Sequence, residues 1–388
     1  LAQGFWLKEF QYFRRGPRLA TTLSADIMST ESDSDVEEKA FRSAYMAEES
    51  TVTFKGQEPH VIDYEPLRLS TIMLFFTWKG TVFRNGILWV EQALVLLLFT
   101  LTAWYVKSST ISDASAEKDA GSLADKMATL AAFLLGFYTS LTVSRWWRLR
   151  TDGIGNIWSA TSQLSLFLSQ FVTKDKETLV AVRRYARASM AIVFLKRKFG
   201  AQQLYKKLDT LVDEDILFPD EVNLLRSYNN NLAESIWTWI AHIVADLNEK
   251  GKIKGEVMLN FLMERVNLGR GGAALIGAQM GTPIPLPYIH LIGFLVKIHN
   301  LILGLSLGFI MGCQWDDNVF ARFLLPVKVF CIPLLYNAIL LVNAGLADPF
   351  NGEVNDFPFK KYELGIEGDG LSYVQAGEHL PAWMKKQK

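Results

Sequence analysis

Four runs of the chain are apolar for long enough to cross a lipid bilayer: residues 87–106, 127–144, 285–313 and 320–347. Each holds about 18 residues or more, and roughly 30 Å of hydrocarbon needs about 20 helical residues. Polar interruptions inside them are few, with Glu91 in the first, Lys297 in the third and Lys328 in the fourth. Between the second and third runs the pattern changes to amphipathic helices. Residues 174–196 alternate basic and apolar faces, Leu217-Phe218-Pro219-Asp220-Glu221 reads as a helix start, and 235–247 and 256–267 continue the period. Proline in a first turn and acids beside the positive end of the dipole are start signals. No stretch alternates as a strand does. The pattern therefore predicts an all-α membrane protein, with four transmembrane helices and a cytosolic helical bundle over 150–280.

The connections set the orientation. Residues 107–126 form a short link with four acids and three bases, whereas Lys79 and Arg84 precede the first span and Arg145, Arg148 and Arg150 follow the second. Positive flanks mark the cytoplasmic side, which puts both termini there or in its topological equivalent. Trp146 and Trp147 stand with Arg145 where the second span ends, as interfacial anchors do. Outside the spans, residues 1–18 are basic and aromatic, and residues 24–50 are acidic and serine-rich. The first segment lacks the central apolar run of a signal peptide and fits the end of an upstream helix or a membrane-surface helix. The second reads as a mobile linker. The predicted organisation is 1–50 as N-terminal segment and linker, 51–350 as membrane and cytosolic body, and 351–388 as acidic loop and tail.

Composition removes several functions. Forty basic residues balance forty acidic ones, so nucleic acid is not an expected partner. Cys313 and Cys331 lie in apolar segments and read as buried thiols rather than a disulfide framework. The five histidines have no metal-ligand spacing, and neither a phosphate loop nor a nucleophile elbow occurs. The chain is expected not to be an enzyme.

Three features remain. Thr129, Phe133 and Phe137 recur every four residues and share one helix face, open to core packing or to lining a path. Val257 opens the segment 257–262 as either a buried or a lining residue. The stretch Asp348-Pro349-Phe350-Asn351-Gly352-Glu353-Val354-Asn355-Asp356-Phe357 follows the last span directly, and its carboxylates and Asn-Gly turn suit either a solvated loop or a calcium loop.

Residues 135–147 (LGFYTSLTVSRWW) resemble the signature helix of the bestrophins, a family of anion channels. The resemblance runs in order from Thr51-Val52-Thr53-Phe54 through Trp78-Lys79-Gly80, that helix, Arg184-Tyr185, Trp237-Thr238-Trp239, Ile284-Pro285-Leu286, Asp348-Pro349-Phe350 and His379-Leu380-Pro381, over about 330 residues. It implies a homopentamer around an axial pore. Phe133 and Phe137 then match two of three neck residues, and Thr129 stands where the family usually has a β-branched apolar residue. Val257 takes the place of the cytosolic aperture, and a C-terminal stretch from Tyr362 onward wraps an adjacent subunit. The acidic loop resembles the family's calcium clasp, with side-chain ligands at Glu353 and Asp356, carbonyls at Gly345 and Asp348, and a fifth ligand near 59–64. It departs from that pattern at several positions, which implies weaker calcium binding. Thr151-Asp152-Gly153-Ile154-Gly155 replaces a proline-containing loop of the animal members.

The expected function is a pentameric anion channel for chloride-type ions, gated by the hydrophobic neck, with calcium as the implied cofactor and the bilayer as partner. Plasma and organellar, thylakoid-type membranes are both open. Some bestrophins follow a light-sensing rhodopsin domain, and the opening segment suits such a junction or a plain extension; retinal belongs here only if that domain precedes the chain. The rival readings are a secondary transporter, which wants paired ionisable groups at the midplane, and a non-conducting scaffold for another membrane domain.

Overall fold

The computed structural model describes residues 72–385, apart from 79, 110–113, 316–318 and 354. The expectations for 1–50 and the fifth calcium ligand near 59–64 fall outside these residues. Among the described residues the structure is helical, with no strand.

Helix α1 (Gly86–Ser108) starts at Asn85, whose side chain accepts from the Ile87 amide at 2.9 Å, the usual service of an Asn cap. Helix α2 (Ala114–Arg148) follows and runs through a π-helical turn (Leu149–Ile154) into α3 (Gly155–Phe167) and a second π turn (Leu168–Val172). Helical without a break over Lys118–Val172 and holding an apolar window within it, this is one of four helical stretches long and apolar enough to cross a membrane; the others are Gly86–Ser108, Leu286–Cys313 and Arg322–Ala347. All four expected spans are present. The second is much longer than expected. Residues 114–126, read as part of a connection, already belong to α2, because Lys118, Asp119, Asp125 and Lys126 are charged without being helix breakers. At the other end the Thr151–Gly155 departure continues the helix, with Gly153 so close to Ile276 that a Cβ there would lie 2.5 Å from it.

Helices α10 (Leu286–Cys313) and α11 (Val319–Ala347) complete the membrane layer. α10 is its centre, packed against α1, α2 and α11. Val95, Phe99 and Ala103 of α1 meet Leu303, Leu307 and Met311 of α10, and Leu135 and Tyr138 of α2 meet Ile292 and Val296. Contact with α1 is close because α10 presents Gly304, Gly308 and Gly312; a Cβ at Gly308 would stand 2.7 Å from the Phe99 carbonyl. Outward, α1 shows Ile87, Val90, Leu94, Leu97, Leu101 and Trp104, an apolar face suited to lipid.

The larger core is that of the helices outside the four apolar spans: α4 (Lys176–Phe199), α5 (Ala201–Lys207), α6 (Thr210–Asp213), α7 (Pro219–Arg226), α8 (Leu232–Glu249) and α9 (Glu256–Gly281), with α3 and α12 (Phe359–Glu378). The start signal at 217–221 is realised: Pro219 opens α7 and the Phe218 amide donates to Glu221 at 2.7 Å. α9 runs past Asn267 through Gly269-Arg270-Gly271-Gly272. Glycines weaken a helix, but here packing decides. The indole of Trp237 packs against Gly269, 2.1 Å from where a Cβ would be, and its N–H donates to Ser189 at 2.9 Å.

Helix α12 begins the C-terminal stretch. It lies on its own subunit's α3 and α4, with Arg183–Glu367 (3.1 Å), Arg187–Glu363 (2.6 Å) and Trp158–Asp369 (2.6 Å) holding it. Gly365 and Gly370 sit under Trp158 and Arg183, where no side chain would fit. The stretch from Tyr362 to Glu378 thus packs on helices of its own chain. A short turn, α13 (Ala382–Lys385), follows it.

Candidate functional site: the neck helix and the acidic loop

Helix α2 is two-faced. Ala131, Leu135, Tyr138 and Thr142 are buried against α10 and α11, at the spacing that keeps one stripe inward. Phe133 and Phe137 lie on the other side, 71% and 54% exposed, beside Gly136, around which there is open space. Thr129 is exposed above them, its hydroxyl donating to the Asp125 carbonyl at 3.0 Å. Neither ring fills the interior of this chain. Val257 is likewise outside, 84% exposed in the first turn of α9.

The foot of α2 turns inward. Arg145 was expected as an interfacial anchor, but it is half-buried and its guanidinium donates to the carbonyls of Gln279 and Ala347, the latter at 3.3 Å. These are last-turn carbonyls of α9 and α11, which lack helical partners and attract a cation. Trp146 also faces protein, its ring 5.0 Å from that of Phe357. Only Trp147 is exposed as an anchor would be.

Arg145 and Trp146 thus grip the two ends of the acidic loop, which begins after Ala347 and ends at Phe357. Inside the loop, Asp356 is 5% exposed and its Oδ2 accepts from the amides of Gly352 (2.8 Å) and Glu353 (2.9 Å). Gly352 has φ +93°, a conformation that suits glycine. The Phe357 amide donates to the Pro349 carbonyl at 2.9 Å, and Phe350 and Phe357 enter the larger core. Burial pushes the Asp356 carboxyl up to about 6; the two N–H bonds oppose this, and the Glu353 and Asp348 carboxylates add to it.

For calcium the donor set is mixed. Glu353 is exposed and Asp356 lies three residues on, so both expected side-chain ligands share one turn. Pro349 has no amide to offer the Gly345 carbonyl four residues before it, which frees that oxygen. The Asp348 side chain is paired with Arg197 at 3.2 Å and is not the group expected as a ligand there, which is the carbonyl. Among the described residues no group of three or more His, Cys, Asp or Glu side chains could hold a metal. A cation here would rest on two carboxylates and main-chain oxygens, fewer than calcium's usual six to eight ligands unless water or residues outside the described set complete them.

Two polar features escaped the sequence reading. The Arg197–Asp348 pair joins residues too far apart for spacing to reveal. In the membrane layer, Lys297 donates to Glu91 (2.5 Å) and Asn337 (3.1 Å), and Asn300 donates to the same Asn337 oxygen (3.1 Å). Single opposite charges in two apolar runs were a signal for that pairing.

Comparison with known proteins agrees with this architecture. The family model described as bestrophin, RFP-TM, chloride channel matches residues 59–361. Bestrophin homolog 22 of Caenorhabditis elegans is 26% identical over 297 residues, covering 74% of this chain and 58% of that protein. Human bestrophin-2a is 22% identical over 301 residues, 73% of this chain and 56% of its own length. The chain thus spans little more than half the length of these two relatives. A crystal structure of a bacterial bestrophin homologue from Klebsiella pneumoniae superposes with a TM-score of 0.57 at 17% identity, covering 74% of this chain and 99% of that one. At that identity the likeness is one of fold.

Proposed function

Because the chain belongs to the bestrophin family, we propose that it is an anion channel, a homopentamer in which five copies of α2 surround one axial pore. It is an integral, multi-pass membrane protein. The observation that carries the proposal is the exposure of Phe133 and Phe137 on the side of α2 away from its own core. Two large apolar side chains left outside one chain need a covering, and a rotational axis places them against their own copies. The polar groups between one subunit's spans, Glu91, Lys297, Asn300 and Asn337, bond to one another, and the proposal places the pore between subunits instead.

In this reading Phe133 and Phe137 form a dry neck and Thr129 a more polar ring above it. A phenyl ring is positive at its edge, so edge-on rings tolerate an anion, and a narrow apolar ring gates by dewetting. Large, weakly hydrated anions lose least on entering. Val257 forms the cytosolic exit. Calcium, where it binds, is held by Glu353 and Asp356 with the carbonyls of Gly345 and Asp348, and it neutralises a loop that Arg145 and Trp146 tie to the neck helix. Reversal potentials in asymmetric chloride, from purified protein in planar bilayers, test the channel; a potential that ignores the chloride gradient rejects anion selectivity.

The intramembrane Glu91–Lys297 pair supports a second reading, a secondary transporter. Unitary currents far above transporter turnover exclude it, and their absence from protein with robust anion uptake favours it.

A further inference from the structure

His299 lies in the middle of α10, fully buried, and neither ring nitrogen has a hydrogen-bond partner. An imidazole carries a donor and an acceptor even when neutral, and burying both unpaired costs free energy that an apolar side chain would not. Packing alone therefore gives no reason for histidine here. Its closest aromatic neighbour is Tyr336 of α11, met edge-on at a ring separation of 5.1 Å. The Tyr336 hydroxyl donates to the Ala128 carbonyl of α2 at 3.1 Å. Ala128 is the residue next to Thr129. His299 is thus two contacts away from the backbone of the neck helix, on its protein side.

The charges around it are few. On α10 itself stands Lys297, tied to Glu91 of α1. From α11 come Tyr336 and, further along, Lys328, which is exposed. On α2 stand Asp125 and Lys126, both exposed, and Tyr138, which packs with Tyr288 of α10 in the same cluster as Tyr336. None of these carboxylates forms an ion pair with His299. Asn300, the next residue, is buried with its Oδ1 unpartnered, and which end of that amide faces the ring is a matter of assignment.

We infer that His299 is a proton-binding site that controls the neck from behind. The proton comes from water; it adds to the free ring nitrogen, giving an imidazolium with two N–H donors and no anionic acceptor in reach. A buried unpaired cation is far less tolerable than a buried neutral ring. The ring must then move toward an acceptor, the Asn300 oxygen or the Tyr336 hydroxyl. The second choice turns Tyr336 away from Ala128 and frees the helix backbone beside Thr129. Proton binding itself rests on this geometry; its effect on flux rests on the neck reading.

The test uses the full chain in lipid nanodiscs and in bilayers, with protons as the only ligand. Hydrogen–deuterium exchange of peptides covering 124–135, corrected for intrinsic rates, is compared between about pH 7.5 and about pH 4.5, past the range in which a solvated histidine switches, since a buried ring without an anion resists the charge. Protection should fall by at least about fivefold on acidification, the low end of usual site couplings. His299→Gln and His299→Phe should abolish the change; the second keeps the volume of the site if the first proves unstable. An unchanged wild type, or variants that respond as the wild type does, overturns the inference. Current through the wild type should change over the same range and the variant currents should not; a pH response retained by folded variants also overturns it. Protein that passes no current at any pH still gives the exchange result, so failure of the channel reading is told apart from failure of this one.

Discussion

Asp356 is the residue whose surroundings decide most about the acidic loop. Its carboxyl is raised to about 6 by burial, so the folded state binds a proton more readily than the unfolded chain. The resulting stability is complete below the ordinary aspartate range and is lost as pH rises through about 6. Melting temperatures across that interval should show the loss in the wild type and not in Asp356→Asn. Calcium, if it binds, opposes protonation and should lower the transition. Glu353→Gln with Asp356→Asn should then erase any calcium-induced stabilisation, measured by thermal unfolding in calcium against chelator. Identical curves for wild type and variant would leave the loop as a solvated acidic turn. Elsewhere, Glu221 shows the reverse balance. Burial would push its carboxyl up, but Arg184, the Phe218 amide and the Tyr185 hydroxyl hold it below the usual range. Its contribution is present at neutral pH and lost on strong acidification, as pH falls through the lowered value. Glu221→Ala leaves Arg184 with no carboxylate and should cost about 3 kcal/mol by chemical denaturation.

At the scale of elements, the two phenylalanines and the glycines make opposite predictions. Phe133→Ala with Phe137→Ala removes rings that touch little of their own chain, so subunit stability should hardly change while basal current rises several-fold. Gating like that of the wild type would remove them from the neck. Gly308→Leu should do the reverse, forcing α10 from α1 against the Phe99 backbone and destabilising by about 2–3 kcal/mol in detergent unfolding. The four spans were legible in the sequence because hydropathy over about 20 residues is a strong signal. The ends of α2 and α9 were not, since charge and glycine look like interruptions until their neighbours are seen. Trp237 lying on Gly269 is a tertiary fact that propensity does not contain. The inward turn of Arg145 and Trp146 has the same origin: tryptophan and arginine suit a lipid interface or a protein interior equally well.

For the whole molecule the central expectation is assembly. Mass measurement of the purified protein should give five copies, and a monomer would remove the pore. The separation of roles was partly readable from sequence, with apolar runs apart from amphipathic ones. The site was readable only as positions on one face of α2 and one loop after α11. Their connection through Arg145 and Trp146, and the Arg197 counter-charge, exist only in the folded chain.

The uninterrupted helical run from Lys118 to Val172 has a mechanical consequence. Fifty-five helical residues measure about 80 Å along the helix path, and the π turns within it are where such a run bends. Above the first π turn, Phe133 and Phe137 share one helix with Arg145 and Trp146. A shift of the acidic loop against those two holds would then reach the rings only by moving that whole segment, at the cost of the contacts that Ala131, Leu135, Tyr138 and Thr142 make with α10 and α11.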